Sequence, residues 1–137
     1  MDRHYSAPGF GFVGAGVGIT PLISMLRTMA DRGDPRPCYL FFGNREWEGV
    51  AFREEIEELK GRLNLEVVHV LSRPPEGWEG DEGRISAAVL VQHLPERYQR
   101  LQYFICGSDQ MMDVAEDALV HLRVPKSRVH SERFGMV

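Results

Sequence analysis

Short apolar runs alternate along the chain with longer stretches in which apolar residues return every three or four positions. These are the periods of buried strands and of helices packed by one face. Phe10 to Val13 opens the series as a strand interrupted by Gly11, and the helix after it places Leu22, Met25, Leu26 and Met29 on one side. Gly33, Pro35 and Pro37 end that helix. Cys38 to Phe42 is a continuous apolar run of the kind buried in a parallel sheet. The next helix turns Phe52, Ile56, Leu59 and Leu63 inward and gives Glu54, Glu55, Glu57, Glu58 and Lys60 to solvent. Glu66 to Leu71 is a third strand, and Ser86 caps a short helix with Ala87, Leu90, Val91 and Leu94 inside. Tyr103 to Cys106 is a fourth strand. A helix with Met111, Met112, Ala115, Ala118, Leu119 and Leu122 on one side then runs to Pro125, which stops it before a fifth strand, Val129 to Ser131. The alternation predicts an α/β fold of three layers: a doubly wound parallel sheet of about five strands, in the order 3-2-1-4-5, with helices on both faces.

Ligands of such sheets bind beyond the carboxyl ends of the strands, where the strand order reverses. The first and fourth strands flank that point here. The run from Phe10 to Pro21 ends its strand in alternating glycines, and Gly14, Gly16 and Gly18 lack the Cβ that would keep an anion away from the backbone N–H groups. Thr20 stands where a capping hydroxyl is favoured and Pro21 suits the first helical turn. The common G-x-G-x-x-G pattern fails on Ile19 and again on Pro21, which leaves G-x-G-x-x-P from Gly16 through Val17 and Gly18 to Pro21. Arg45 follows the second strand, where dinucleotide folds read the adenine-side ribose, and Ser72-Arg73 closes the third. A guanidinium at such a place can grip a 2′-phosphate, although either arginine also reads as a surface ion-pair residue. The segment from Arg73 to Gly83 is a long loop of turn residues, a common home of function.

Composition narrows the classes. A chain of 137 residues, 43% of them apolar, suits one domain with its own core, read as 9–137 after a linker at 1–8. A formal net charge of -4 does not favour a nucleic-acid partner. Cys38 and Cys106 lie far apart in strand-like contexts, and the five histidines show no metal-ligand spacing, so neither a disulfide framework nor a metal site is expected. No apolar run reaches the roughly 20 residues that cross a bilayer and no secretory signal opens the chain, so a soluble, cytoplasmic setting is expected. No G-x-S-x-G elbow or P-loop lysine appears, which sets hydrolase and kinase readings aside.

The Gly16-to-Pro21 variant resembles the nicotinamide-nucleotide-binding domain of the ferredoxin–NADP reductase superfamily. Phe42-Gly43-Asn44-Arg45, Trp78-Glu79-Gly80 with Gly83-Arg84-Ile85, Tyr103 to Gly107 with Met111-Met112, and Glu132-Arg133-Phe134 are similar to further elements of that family, in its order. The resemblance implies a domain that binds NADPH or NADH and positions it for hydride transfer to FAD. Gly14, Gly16, Val17, Gly18, Thr20 and Pro21 would hold the pyrophosphate, Asn44, Arg45, Ser72 and Arg73 the adenosine end, with NADPH slightly favoured, and Met111 the adenosine side. Cys106 and Gly107 would position the nicotinamide, with Thr20, Cys106, Glu132 and Phe134 at the reaction centre. Ser108 departs from the proline that most relatives carry after the glycine.

The FAD-binding barrel of the family has no counterpart in this chain, which the resemblance makes a fragment of a larger flavoprotein or a subunit docking on a flavin-bearing partner with a downstream electron acceptor. Some relatives carry a membrane-embedded, haem-binding segment, which would put the domain at the cytoplasmic face of a membrane. Arg3-His4-Tyr5-Ser6 matches the family's flavin-binding pattern but directly precedes the first strand, and reads as interdomain linker. Two alternatives remain. Val13 to Gly18 also looks like a methyltransferase nucleoside loop, although Phe12 stands where an acidic residue usually precedes the glycines, and a nucleotide sensor without catalysis shares every glycine. Cys106, Glu132 and Phe134 each have a packing reading as well.

Overall fold

Phe10–Ala15 (β1) runs through the middle of the sheet, flanked by Cys38–Asn44 (β2) and Gln102–Gly107 (β5). Leu65–Leu71 (β3) pairs with β2, Val129–Arg133 (β6) pairs with β5, and a two-residue strand, Asp81–Glu82 (β4), extends the β3 edge. The computed structural model describes residues 7–133, with the six parallel strands in the order β4-β3-β2-β1-β5-β6. The helices are Thr20–Asp31 (α1), Arg53–Arg62 (α2), Ala87–His93 (α3) and Asp109–His121 (α4). Parallel strands need crossovers, and each helix supplies one. The five-strand order expected from the sequence is present, with β4 added.

The two faces have separate cores. Leu22, Ile23 and Leu26 of α1 and Ile56 and Leu59 of α2 pack with Phe10, Phe12, Leu40 and Phe42 on one side. Leu90 of α3 and Met112, Ala115 and Leu119 of α4 pack with Val13, Phe41, Tyr103 and Ile105 on the other. Burial of both faces explains why β2 and the core of β5 read as continuous apolar runs. Gly11 has a steric reason: a Cβ there would stand 2.4 Å from the ring of Tyr103, which is fully buried and donates its hydroxyl to the Tyr98 carbonyl at 2.7 Å.

Several local expectations are corrected. The first strand continues through Gly14 to Ala15. On α1 the deeply buried residues include Ile23 and Ala30, while Met25 and Met29 sit at the core's margin. Phe52 precedes α2 in a left-handed conformation (φ 60°) and is 36% exposed, so it does not belong to the inner face. Val91 is likewise exposed. Pro125 does not stop the last helix, since α4 ends at His121 and Arg123 takes a φ of 64° to turn the chain. No helix among the described residues is long and apolar enough to cross a membrane.

His69 on β3 lies between the rings of Phe42 and Trp47, and its buried Nδ1 has no hydrogen-bond partner. Burial is the main cause that lowers its pKa; Glu57 opposes the shift, and Lys60 and Arg53 add to it. The folded state therefore prefers the neutral ring. Its contribution to stability is complete above the unfolded imidazole range of about 6.5 and is lost as pH falls through that range toward the lower folded value. Thermal unfolding between pH 7.5 and 5 should show a declining midpoint, and His69→Gln should flatten that decline; an unchanged slope would contradict the assignment.

Candidate functional site

At the carboxyl ends of the central strands, β1 passes into a tight 3-10 turn, Gly16–Ile19, and then into α1. Only Gly16 of the three glycines has a positive φ, 54°, and a Cβ there would meet nothing within 4 Å. Gly14 is still in the strand, where a Cβ would stand 3.0 Å from Leu22 and 3.3 Å from Ile19. Gly18 packs on the second bend: its Cβ would fall 2.7 Å from Gly107 Cα and 2.9 Å from the Cys106 carbonyl. Thus the three glycines serve three purposes, a left-handed turn, a helix contact and a backbone contact, rather than one shared flexibility. The opening glycine bend and the Cys106-Gly107 corner touch through Gly18.

Thr20 is the first residue of α1, not its cap, and the capping position falls on Ile19 with no side-chain bond. The Thr20 hydroxyl donates back to the Val17 carbonyl at 3.1 Å, which tightens the turn, and Val17 projects at its tip, 86% exposed. At the other bend, Ser108 caps α4 by accepting the Met111 N–H at 3.4 Å. The residue that departs from the family's proline therefore starts the helix by a different device.

A cleft of about 350 Å³ opens beside the bends, lined by Gly16, Gly43, Asn44, Arg45, Ser72 and Met111 among others. Of the residues expected on the adenosine side, Asn44, Arg45, Ser72 and Met111 meet there. Ser72 N–H donates to the Asn44 carbonyl at 3.1 Å and Arg73 N–H to the Arg45 carbonyl at 2.8 Å, which continues the β2–β3 pairing and sets the two segments side by side. Arg73 itself is exposed and outside the lining. Arg84, Gln110 and Val114 line the cleft too and were not among the expected site residues. Arg84 was findable, since it belongs to the Gly83-Arg84-Ile85 segment that follows the long loop.

A second hollow, about 290 Å³, lies on the α1 side of the same strand ends and joins Pro21, Cys106 and Glu132 with Leu22, Met25 and Phe104. Cys106 is 1% exposed, and burial first, then the nearby Glu132 carboxylate, raises its thiol pKa. It is a packed, neutral thiol. Cys38, also free, is pushed up by burial to about 12. A larger hollow of about 910 Å³ sits at the amino ends of the strands, among Pro37, Tyr39, Leu101 and Gln102, the end at which parallel sheets do not place ligands. Phe134 and the Arg3-to-Ser6 segment lie outside the described residues.

The fold and the site define an α/β dinucleotide-type domain whose cleft opens at the topological switch between β1 and β5. The chain belongs to the oxidoreductase NAD-binding domain family, which matches residues 12–117, and so to the ferredoxin–NADP reductase and cytochrome b5 reductase group. It is 37% identical over 134 residues to ferredoxin–NADP reductase B of Sorangium cellulosum, covering 90% of this chain and 53% of that protein. It is 32% identical over 112 residues to the NADH-cytochrome b5 reductase 1 of Bos taurus, covering 80% of this chain and 37% of that one. The flavohem-like FAD/NAD-binding domain of nitric oxide dioxygenase from Vibrio cholerae superimposes with a TM-score of 0.82 at 21% identity, covering 95% of this chain and 52% of that one. The chain thus spans about half or less of the length of the curated relatives it matches. The family is one of oxidoreductases and lends the methyltransferase alternative no support.

Proposed function

We propose that this chain is the nicotinamide-nucleotide-binding part of a flavin-dependent NAD(P)H oxidoreductase. The observation that carries the reading is the Gly18 contact with Cys106-Gly107, because it joins the two bends into one continuous seat. Along that seat, the amides of Gly16, Val17 and Gly18 and the N-terminus of α1 hold the pyrophosphate. Asn44, Arg45, Ser72, Arg73, Arg84 and Met111 hold the adenosine half. The fit is chemical as well as steric: open space over Gly16 admits an anion, and Asn44, which lines the cleft, has a buried Nδ2 with no hydrogen-bond partner in the protein.

The reduced nicotinamide, when bound, supplies a hydride to a flavin. The residues here orient it. Thr20 and Gly107 border the ring's place, and the packed Cys106 thiol fixes its depth without ionising. Glu132 lies on the second hollow, where the flavin-bearing domain meets the chain, with Phe134 three positions short of the C-terminus. Catalysis by this part is positional. The chain binds NAD(P)H by itself and turns over only with a FAD-binding domain or subunit, which passes electrons to an acceptor. Within this reading residues 9–137 are the binding domain and 1–8 a linker.

NADPH is preferred, modestly, because Arg45 and Arg84 line the cleft and Arg73, outside its lining, adjoins Arg45 through their backbone bond. Calorimetric titration of the purified chain should show binding of NADPH and NADH and none of S-adenosylmethionine. Arg73→Ala should weaken NADPH more than NADH, by about fivefold for an exposed charge pair; equal losses would remove Arg73 from a 2′-phosphate site. Phe134→Ala should slow flavin reduction in a protein carrying both domains, and unchanged reduction would remove it from the reaction centre.

A further inference from the structure

The segment 72–85, which carries β4, contributes Ser72 at one end and Gly83, Arg84 and Ile85 at the other to the cleft. It is fastened at few places. β4 pairs only Asp81 and Glu82 with Val70 and Leu71, and Gly83 N–H adds one bond to the Leu71 carbonyl at 2.8 Å. Side chains do the remaining work. The Trp78 indole packs against Trp47 at 5.6 Å between ring centroids, and its N–H donates to the Asp81 carbonyl at 3.0 Å. Gly80 makes room for that ring, since a Cβ there would lie 2.7 Å from Trp78 Cζ2. The Asp81 carboxylate then meets His93, the last residue of α3, with Oδ2 2.8 Å from Nε2.

His93 faces two carboxylates. Glu66 of β3 approaches its Nδ1 at 3.7 Å, while Phe41 of β2 sets a ring edge-on at 6.3 Å. Tyr39 of β2 lies near Glu66, and burial first, then that carboxylate, raises its phenol above the ordinary value, so it stays neutral in the relevant range. α4 meets α3 within an apolar cluster that includes Leu90, Leu94, Met112 and Ala115. At 2.8 Å the Asp81 contact is a hydrogen bond, whereas Glu66 at 3.7 Å acts on the ring by charge alone. With side-chain exposures of 27% for His93 and 18% for Asp81, the pair is partly shielded from solvent and exceeds a fully exposed one.

We propose that His93 is a positioning residue: by gripping Asp81 it seats the 72–85 segment against the cleft and so supports dinucleotide affinity. The proposal rests on the dinucleotide reading above. The probe is ADP-ribose, which has no 2′-phosphate to titrate. Calorimetry on the full chain at one pH should show its Kd weakened roughly fivefold by His93→Gln and by Asp81→Asn, and no further in the double variant, as expected for two halves of one contact. Trp47 and Trp78 are the only two tryptophans, so intrinsic fluorescence reads the loop's seat directly. Its emission should shift alike in His93→Gln and in Asp81→Asn. A wild type that binds neither ADP-ribose nor NADPH would overturn the dinucleotide reading and this one with it. Binding and emission that are the same in wild type and both variants at 81 and 93 would overturn the His93 role alone; if His93→Gln does not fold, Asp81→Asn decides.

Discussion

Gly18→Ala should abolish dinucleotide binding and destabilise the fold by about 2 kcal/mol or more, the range of overpacking against atoms that cannot yield. The methyl carbon would stand 2.7 Å from Gly107 Cα, 2.9 Å from the Cys106 carbonyl oxygen and 3.2 Å from Gly107 N. All three are backbone, so no rotamer relieves the contact and the bends must part. Gly16→Ala is the contrasting variant. Its Cβ meets nothing within 4 Å, and the cost is that of holding alanine at a φ of 54°, about 1 kcal/mol. It should fold almost as well while placing a methyl group on the phosphate seat. Thermal unfolding with an NADPH titration separates the two, and a Gly18→Ala protein that binds like wild type would disprove the seam.

The second large effect belongs to the arginines at the adenosine end. Arg45→Ala with Arg84→Ala should lower NADPH affinity by about tenfold, since both guanidiniums are exposed and an exposed charge pair is worth up to about 1 kcal/mol. NADH should lose much less, since it lacks the 2′-phosphate. Both residues line one cleft, so the double variant need not equal the sum of the singles, and the cycle should be measured in full. Equal losses for the two dinucleotides would place the arginines on the pyrophosphate or on neither.

Most of the architecture was legible because burial on both sheet faces writes itself as apolar runs and helical periods. Phe41 and Phe42, adjacent in β2, point into different cores, and both cores need them. Where the reading failed, the cause was local. Phe52 and Val91 have the right spacing for inner faces but sit at a helix start and on a short helix that buries little else. β4 is two residues of Asp and Glu, with no apolar signal, held by Trp78 and His93 rather than by propensity. The glycine motif announced a bend but not its division of labour. Tyr103 explains Gly11, Gly107 explains Gly18, and neither partner is near in sequence. Among site residues, Asn44, Arg45, Ser72 and Met111 line one cleft, and Arg84 joins them because β4 carries the Gly83-Arg84-Ile85 segment there.

The most direct test follows backbone amides by NMR while the chain is titrated with NADPH. Shifts concentrated at Gly16, Val17, Gly18, Gly107 and Ser108, with Asn44 and Arg84 beside them, are the expected result. Shifts gathered instead around Tyr39, Leu101 and Gln102 at the opposite strand ends, or none at saturating NADPH, would contradict it.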